Sequence, residues 1–270
     1  MTGSRAWTHP AVRGFDRAAS AYERARPGYP SAAVRLLGRA FGLGPGRTIV
    51  ELASGTGKFT RALRPLGATL VAIEPTPGMR AIFERMVPDV AVLDGTAEAI
   101  PLPDGFADAV VIAQAFHWFR PRPAIREIAR VVRPGGGLGL IWNTRDDTDP
   151  LSARITEIVG RYRGSSPRSP RSVGRSGPGG EGRWRSVFDR APGPFSPLRH
   201  VQFRFVQRLT PTQVVDRVLS VSFVAVQPAD ERRRIEREVR GFLADRSGIP
   251  FHRPIRLPYR SDLYYAQRRP

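Results

Sequence analysis

The stretch TIVELASGTGKFT, residues 48–60, is the most informative part of this 270-residue chain. An apolar run, Thr48–Ala53, ends in a turn that contains Gly55 and Gly57, and a helix-like pattern follows. Another acid, Glu74, comes about twenty residues later, a layout typical of a nucleoside site at the carboxyl end of a parallel strand. The glycines let a ligand approach the backbone, the helix start offers free N–H groups, and the acid accepts hydrogen bonds from ribose hydroxyls.

The spacing within this turn distinguishes the cofactors that use such a layout. A dinucleotide fingerprint that begins at Gly55 and Gly57 requires a third glycine at position 60, where this chain has Thr60. A phosphate loop requires Ser or Thr at the position of Phe59 and a glycine at the position of Leu52. Two interpretations therefore stay open. One is S-adenosylmethionine, whose zwitterionic methionine end needs no pyrophosphate cradle, and the other is a glycine-rich connection that binds no ligand.

The length and composition limit the class of protein. A chain of 270 residues can bury a full core and suits one α/β domain with additions, or at most two domains. The absence of cysteine excludes disulfides, thiolate zinc sites and a cysteine nucleophile, and no metal site is predicted. The first residues lack the apolar segment of a signal peptide, and no stretch approaches the roughly 18 apolar residues of a membrane span. We therefore expect a cytoplasmic protein.

The net charge of +19 is typical of a nucleic-acid-binding protein, but its distribution favours another interpretation. Residues 1–150 carry 19 basic and 14 acidic groups, whereas residues 151–270 carry 24 and 10. No aromatic-interleaved RNA-binding signature accompanies these arginines. We interpret the excess as surface charge, so nucleic acid is the less favoured partner. No membrane partner is expected, and we expect a monomer or homodimer.

The first 150 residues alternate strand and helix patterns, which predicts a parallel sheet with crossover helices. The predicted strands are Thr48–Ala53, Thr69–Glu74, Val90–Leu93, Ala107–Gln114 and Leu138–Asn143. The predicted helices are Val12–Tyr22, Ser31–Phe41, Lys58–Leu66, Pro77–Met86 and Pro121–Val132. After the last of these, the segment RPGGG, residues 133–137, predicts a helix stop and a turn into the next strand.

The second half begins with a different composition. Residues 164–182 have low complexity and predict a mobile linker or insertion that does not pack. Beyond this insertion the patterns predict strands at Arg199–Leu209 and Ser261–Gln267, and helices at Thr212–Ser220 and Ala229–Leu243.

Further polar turns follow the other predicted strands. Glu74 ends the second strand and is followed by PTPGM, in which Met79 either packs on an adenine or fills the core. Residues 94–98 follow the third strand, where Glu98 either contacts the ligand or caps the next turn. Residues 114–119 follow the fourth strand, which in this topology faces the group to be transferred.

Together these blocks resemble the class I S-adenosylmethionine-dependent methyltransferases, and more narrowly the methyltransferase domain 11 type, which includes the trans-aconitate methyltransferases. The matching blocks are Glu51 with the glycine turn, Glu74-Pro75, residues 95–101, residues 114–119, residues 133–136, Trp142-Asn143, and Tyr22 with residues 26–30. The resemblance covers residues 13–146 and returns at 257–261. It implies an α/β, Rossmann-like fold with a seven-stranded, mostly parallel sheet flanked by helices.

The sequence departs from the broad class at two positions of the glycine turn. The class usually has Asp at position 51 and Gly at position 53, where this chain has Glu51 and Ala53. Glu51 keeps the acid, and Ala53 costs little unless the backbone there has a positive φ.

The resemblance also implies a division of the chain and a reaction. It predicts a helical lid at 1–46, a cofactor-binding core at 47–146, the insertion at 164–182, and a C-terminal part, 183–270, that completes the sheet and covers the substrate site. The reaction is an in-line displacement of the sulfonium methyl group by a small-molecule acceptor, for which the protein mainly supplies alignment. The implied cofactor-binding residues are Glu51, Ala53, Ser54, Gly55, Gly57, Glu74, Pro75, Met79, Thr96, Ala97, Glu98, Gln114, Ala115 and Phe116.

His117 is the candidate general base or substrate-orienting group. It follows a strand end at the expected position of the methyl group, and an unperturbed pKa of about 6.5 suits proton transfer. Its alternative role is to hold the surrounding aromatic residues, and a carboxylate acceptor would need no base. The predicted lid or substrate residues are Tyr22, Arg26, Tyr29, Trp118 and Asn143.

Two other functions stay open at this point. A nucleic-acid methyltransferase would use the arginine-rich second half, although residues 114–117 lack the Asn/Asp-Pro-Pro-aromatic segment of base amino methylases. A non-catalytic homologue would bind the cofactor without turnover.

Overall fold

The computed structural model describes residues 23, 25–162, 184, 185, 188, 193–225, 227–245 and 254–270. The predicted helix Val12–Tyr22 and the predicted insertion at 164–182 lie outside the described residues. The chain divides into two compact units. We call residues 28–144, 175–205 and 260–270 the sheet unit, and residues 1–27, 145–174 and 206–259 the helical unit.

One seven-stranded sheet has the strand order β3-β2-β1-β4-β5-β7-β6. The strands are β1 (Thr48–Leu52), β2 (Thr69–Ile73), β3 (Ala91–Leu93), β4 (Ala107–Ala113), β5 (Val132–Arg145), β6 (Arg199–Leu209) and β7 (Ile255–Gln267). The pairs β1–β2, β1–β4, β2–β3 and β4–β5 are parallel. The seven-stranded, mostly parallel sheet expected from the sequence is therefore confirmed.

The central strands are apolar along nearly their whole length because both faces of the sheet are covered. In β4, Val110 and Ile112 belong to one apolar cluster, whereas Ala109 and Val111 belong to another. Since successive side chains of a strand point to opposite faces, these clusters are the two layers of the core. Helix α1 (Ser31–Phe41) contributes Leu37 and Phe41 to the second cluster, so the end of the predicted lid segment packs in the core of the sheet unit.

The other helices are as follows: α2 (Lys58–Leu63), α3 (Pro77–Met86), α4 (Pro121–Val131), α5 (Pro150–Arg161), α6 (Pro211–Leu219), α7 (Ser222–Ala225) and α8 (Ala229–Asp245). Short 3-10 helices occupy Arg64–Leu66 and Phe116–Trp118. None of the helices in the described part of the chain has the length and apolar character that a bilayer crossing requires.

β1, β2 and β4 each end one residue before the predicted end, at Leu52, Ile73 and Ala113, and the short helix α7 was not predicted. Three further segments differ more. β5 begins at Val132 rather than Leu138, because the RPGGG segment continues as strand: Gly135, with φ 74°, donates its N–H to the carbonyl of Arg268 at 3.1 Å. β7 begins at Ile255, six residues before the predicted start. Helix α5 was not predicted, although its start carries a cap, since Asp149 accepts the N–H of Ser152 at 2.8 Å.

The helical unit has a small core of its own, in which the apolar sides of α5, α6 and α8 are buried. The buried residues include Ile155, Ile158, Val214, Val218, Ile235 and Val239. Tyr162, the residue that follows α5, bonds to later segments: its hydroxyl donates to Glu238 at 2.6 Å, and Gln227 donates to its carbonyl at 3.2 Å.

At the amino end of β1, one carboxylate connects three segments of the sheet unit. Asp108 accepts the N–H of Thr48 at 2.7 Å, Nη1 of Arg47 at 3.1 Å and Nε of Arg133 at 2.6 Å. Burial alone would raise the pKa of Asp108, but these donors outweigh it and hold the pKa below its ordinary value.

We expect Asp108→Asn to lower the free energy of unfolding at pH 7 by about 1–3 kcal/mol, because a buried charged acceptor is lost. A depressed carboxyl pKa gives stability that is present above the unfolded pKa and is lost as the pH falls through the folded pKa. The difference in the free energy of unfolding between wild type and Asp108→Asn should therefore shrink below about pH 4. Urea unfolding measures both effects.

The matched control for this prediction is Asp104→Asn. The side chain of Asp104 is 82% exposed and, among the described residues, pairs with Arg130 at the surface. Such a change alters stability by about 0.5 kcal/mol or less. Equal losses in the two variants would contradict a structural role for Asp108.

Candidate active site

The candidate site lies at the edge of the sheet where four parallel strands end. In the register, Leu52 of β1 lies opposite both Ile73 of β2 and Ile112 of β4. Ile73 in turn lies opposite Leu93 of β3. The turns that follow β1, β2, β3 and β4 therefore leave the sheet at nearly the same level, as the sequence predicts for a ligand site.

The turn after β1 contains two glycines with different surroundings. Gly57 has φ 79°, and a Cβ atom there would lie 2.6 Å from Cγ2 of Val87 and 2.9 Å from the ring of Phe83. Gly55 has φ 58°, yet a Cβ atom there would meet no atom of the described residues within 4 Å. Packing thus requires a glycine at position 57, whereas Gly55 keeps open space beside the turn.

Two non-glycine residues also have left-handed backbone conformations. Ala53 has φ 52° and Gln114 has φ 61°, and no other non-glycine residue among those described has a positive φ. Each directly follows a central strand, β1 or β4. Because Ala53 has a positive φ, its backbone carries an energetic cost: an L-residue in this region is strained by about 1–2 kcal/mol.

The buried acid Glu74 holds the glycine turn from the end of β2. Its Oε2 accepts the N–H of Gly55 at 2.9 Å, and its Oε1 accepts the N–H of Thr76 at 2.9 Å. Each carboxylate oxygen has a second lone pair. Glu74 can therefore hold the turn and still accept hydrogen bonds from a ligand such as a ribose.

The second buried acid, Glu51, lies near the end of β1. Its Oε2 accepts the hydroxyl of Thr60 at 2.5 Å, and both residues are buried. Neither Glu51 nor Glu74 forms an ion pair with any described residue. Burial raises the pKa of Glu51 to about 8, and the nearby Glu74 carboxylate adds to that rise against the Thr60 hydrogen bond. Burial also raises the pKa of Glu74.

A third polar group beside the turn has its hydrogen-bonding capacity unused. The Oγ atom of Ser54 is buried and has no hydrogen-bond partner among the described residues, while its N–H donates to the carbonyl of Ile73 at 3.1 Å. Buried hydroxyls normally have a partner. The missing partner of the Ser54 hydroxyl therefore indicates a ligand-binding site beside the glycine turn.

The turns after β4 and β5 are joined by side-chain amides. Nε2 of Gln114 donates to the carbonyl of Asn143 at 3.3 Å. Nδ2 of Asn143 donates to the carbonyl of Gly28 at 2.9 Å, and its Oδ1 accepts the hydroxyl of Ser261. Asn143 thereby fixes the segment around Gly28 to the end of β5.

Comparison with known proteins places the chain in a family. Residues 50–140 match the family model described as "Methyltransferase domain". An uncharacterized methyltransferase of Mycobacterium tuberculosis is 38% identical over 247 residues, which is 91% of this chain and 91% of that protein. The chain belongs to the methyltransferase family.

Two further comparisons concern the fold and more distant relatives. A protein of Anaeromyxobacter dehalogenans named as a type II methyltransferase has a TM-score of 0.67 and 24% identity, and the match covers 91% of this chain and 99% of that one. This likeness shows that the methyltransferase has the class I, Rossmann-like fold. A demethylmenaquinone methyltransferase of Renibacterium salmoninarum is 31% identical over 128 residues, 47% of this chain and 54% of that protein.

The structure gives His117 of this methyltransferase a defined hydrogen bond. The indole N–H of Trp142 donates to Nδ1 of His117 at 3.4 Å, and the imidazole packs on Trp118 with ring centroids 4.7 Å apart. A neutral imidazole that accepts at Nδ1 carries its proton on Nε2. In that tautomer His117 is suited to orient an acceptor oxygen by donating a hydrogen bond rather than to remove a proton. Its catalytic role stays a prediction.

The predicted residues after β2, β3 and β4 have different surroundings. Met79 is buried in α3, and Ala97 and Phe116 are buried in the first apolar cluster. The ring of Phe116 packs against Trp184, with centroids 5.9 Å apart, so the structure gives it a packing role. Glu98 accepts the N–H of Arg120, the N-cap of α4, at 2.7 Å. The remaining members of this group are Pro75 before α3, Thr96, which forms a bridge with Ala99, and the buried Ala115.

The predicted lid residues fall in different parts of the chain. Tyr29 belongs to the sheet unit, where its ring lies 4.6 Å from that of Phe59 on α2. Arg26 belongs to the helical unit, where Nη2 donates to the carbonyl of Ser220 at 2.9 Å. Tyr22 lies outside the described residues. Within the described part of the chain, no group of three or more His, Asp or Glu side chains could hold a metal ion.

Sequence reasoning missed the residues that hold the acids in place. Thr60 binds Glu51, and Arg80 donates to the carbonyl of Glu74 at 2.7 Å while pairing with Asp94 at 3.0 Å. The positions of Thr60 and Arg80 in their helices could have indicated this role. Thr60 and Arg80 each lie in the first turns of the helix that follows the acid they support, so their side chains can reach back to the strand end.

We expect Gly57→Ala to destabilise the fold by about 2–5 kcal/mol, because the methyl group would overlap Phe83 and Val87 and the backbone would be strained. Gly55→Ala should cost only about 1–2 kcal/mol, since it carries backbone strain without a clash. Urea unfolding of both variants measures the difference. Equal losses would show that the turn relaxes freely around position 57.

The pKa of Glu51 predicts a pH dependence of stability. A folded pKa of about 8, against an ordinary value of 4.5, means that the folded state binds the proton more tightly. The free energy of unfolding should therefore fall as the pH rises from 4.5 to about 8. Glu51→Gln cannot ionise, so its stability relative to wild type should increase by about 1 kcal/mol or more between pH 5 and pH 8.

Urea unfolding at pH 5, 6.5 and 8 checks this prediction. Glu84→Gln is the matched control, because Glu84 is exposed on α3 and the variant should follow wild type at each pH. A constant difference between Glu51→Gln and wild type across this range would mean that Glu51 is ionised throughout.

Proposed function

We propose that this methyltransferase binds S-adenosylmethionine at the glycine turn and transfers its methyl group to a small-molecule acceptor by in-line displacement. The observation that carries the proposal is the coincidence, at one turn, of open space beside Gly55, a buried Ser54 hydroxyl without a partner among the described residues, and the turn-holding carboxylate of Glu74. A Cβ atom at position 55 would enter this space.

The charges at the site also fit this cofactor. Glu51 and Glu74 are both buried, and burial raises the pKa of each, although Arg61 near Glu51 and Arg80 near Glu74 act in the opposite direction. A cationic ligand beside these two acids would favour their ionised forms, so the site is suited to a ligand that carries positive charge. S-adenosylmethionine carries a sulfonium and an ammonium group against a single carboxylate.

The residues of the site have separable roles in this proposal. Glu74 would accept hydrogen bonds from the ribose, and the Ser54 hydroxyl would bind the methionine end. Bound there, S-adenosylmethionine would supply a methyl group on a positively charged sulfur. The chain would then bind and align the acceptor, with His117 as the orienting donor at the end of β4.

A small-molecule acceptor is supported by the relatives and by the β4 turn. The name of the Renibacterium relative assigns it demethylmenaquinone, a small molecule, as substrate. Residues 114–117 read QAFH, which lacks the segment that base amino methylases use.

We expect isothermal titration to show saturable binding of S-adenosylmethionine to the wild-type protein. Gly55→Ala should weaken that binding at least about tenfold, which is 1.4 kcal/mol, because its methyl group fills the ligand space. The matched control is Gly46→Ala: Gly46 has φ 77° and also no neighbour within 4 Å of its Cβ position, but it precedes β1 at the other end of the strand. This control should bind like wild type.

No binding by folded wild-type protein would refute the cofactor, and unchanged affinity in Gly55→Ala would refute its placement. The acceptor class needs a second measurement, the release of S-adenosylhomocysteine with a panel of phenols, quinols and carboxylic acids and, in parallel, with structured RNA. Turnover with RNA alone would overturn the small-molecule acceptor.

A further inference from the structure

The helical unit contains a buried arginine with unused donors. Arg217 on α6 is 7% exposed, and its Nε and Nη1 atoms are buried without a hydrogen-bond partner among the described residues. A buried guanidinium is costly unless it is paired and hydrogen-bonded. No described carboxylate forms an ion pair with Arg217.

A second arginine of the helical unit, Arg145, is affected by the charge of Arg217. Arg145, the last residue of β5, donates from Nη2 to the hydroxyl of Thr156 at 3.1 Å and forms no ion pair with the described residues. Burial, and next the neighbouring charge of Arg217, lower the pKa of Arg145 to about 10, against the opposing effects of Tyr259 and Asp147. The two guanidinium groups are therefore close enough to repel each other.

Several other arginines of the helical unit form ion pairs, which Arg217 does not among the described residues. Arg161 pairs with Glu238, and Arg234 lies 3.9 Å from the carboxylate of Glu231. Both of those pairs are on the surface of α5 and α8, where water also screens the charge. Arg217 has no such ion pair among the described residues, and at Arg145 the attraction of Asp147 does not offset burial and the charge of Arg217.

We propose that Arg145 and Arg217 form a binding site for an oxyanion, either a carboxylate or a phosphate group of a small ligand. The planar guanidinium fork matches both groups and binds them through paired, charge-assisted hydrogen bonds. An oxyanion would provide acceptors for Nε and Nη1 of Arg217 and would remove the repulsion between the arginines. The site belongs to the helical unit alone and does not depend on the proposed methyl donor.

The experiment follows thermal unfolding of the full-length protein while sodium succinate or sodium phosphate is raised to about 10 mM at constant ionic strength set by NaCl. We expect at least one of the two anions to raise the Tm of wild type with saturation. Arg217→Met should lose that rise. Without added anion its Tm should equal or exceed that of wild type, because an uncompensated buried charge has been removed.

The matched control is Arg233→Met, which removes an exposed arginine of α8 and should keep the saturable rise. A shift with succinate alone assigns the site to carboxylic acids, and a shift with phosphate alone assigns it to phosphorylated compounds. A wild-type Tm that follows only ionic strength overturns the proposal, as does an unchanged anion response in Arg217→Met. If Arg217→Met does not fold, the same loss is required of Arg145→Met.

Titration with S-adenosylmethionine separates this proposal from the methyl-donor site. Arg217→Met should bind S-adenosylmethionine with wild-type affinity while the anion response is lost. A saturable anion response in a protein that does not bind S-adenosylmethionine would sink the methyl-donor proposal and leave the oxyanion site standing.

Discussion

The parallel register of β1 with both of its neighbours is the constraint on which the rest of the sheet unit depends. Because Leu52 lies opposite both Ile73 and Ile112, three polar turns leave the sheet at one level. A slip of one residue would turn every side chain of the strand to the other face and would mix the two apolar layers. At the other end of the strand, Asp108 holds the start of β1 through the N–H of Thr48, which opposes such a slip.

The same sheet edge concentrates features that are costly for folding and useful for binding. Ala53 and Gln114 have strained left-handed backbones, the Ser54 hydroxyl has no partner within the described part of the chain, and Glu51 is a buried acid with a raised pKa. Strain and incomplete hydrogen bonding persist only where the surrounding structure enforces them. Their coincidence at the ends of β1 and β4 is the physical reason for placing a ligand there, and it is independent of any relative.

The sequence predicted the periodic elements well and the tertiary contacts poorly. The bounds of α1 and β6 agree with the prediction, because their apolar periodicity is strong and turn residues flank them. The start of β5 could not be predicted, since the glycine segment 133–137 reads as a turn until the pairing of Gly135 with Arg268 is known. The glycine turn and Glu74 were found from spacing, but the hydrogen bond between them and the packing of Phe116 depend on neighbours distant in sequence. With 42 arginines in the chain, no pattern distinguishes the buried Arg217 from the exposed ones.

The net charge of +19 is a poor guide to the ligands of this methyltransferase, because solvated charges are screened and buried charges are not. Most described arginines are at least partly exposed or paired, so they say little about binding. The informative groups are the ionisable side chains that the fold buries without an ion pair among the described residues: Glu51 and Glu74 in the sheet unit, and Arg217 in the helical unit. The charged form of such a group is unfavourable in the folded state until a ligand of opposite charge arrives. The sign that each group carries when ionised therefore indicates a cationic ligand in one unit and an anionic ligand in the other.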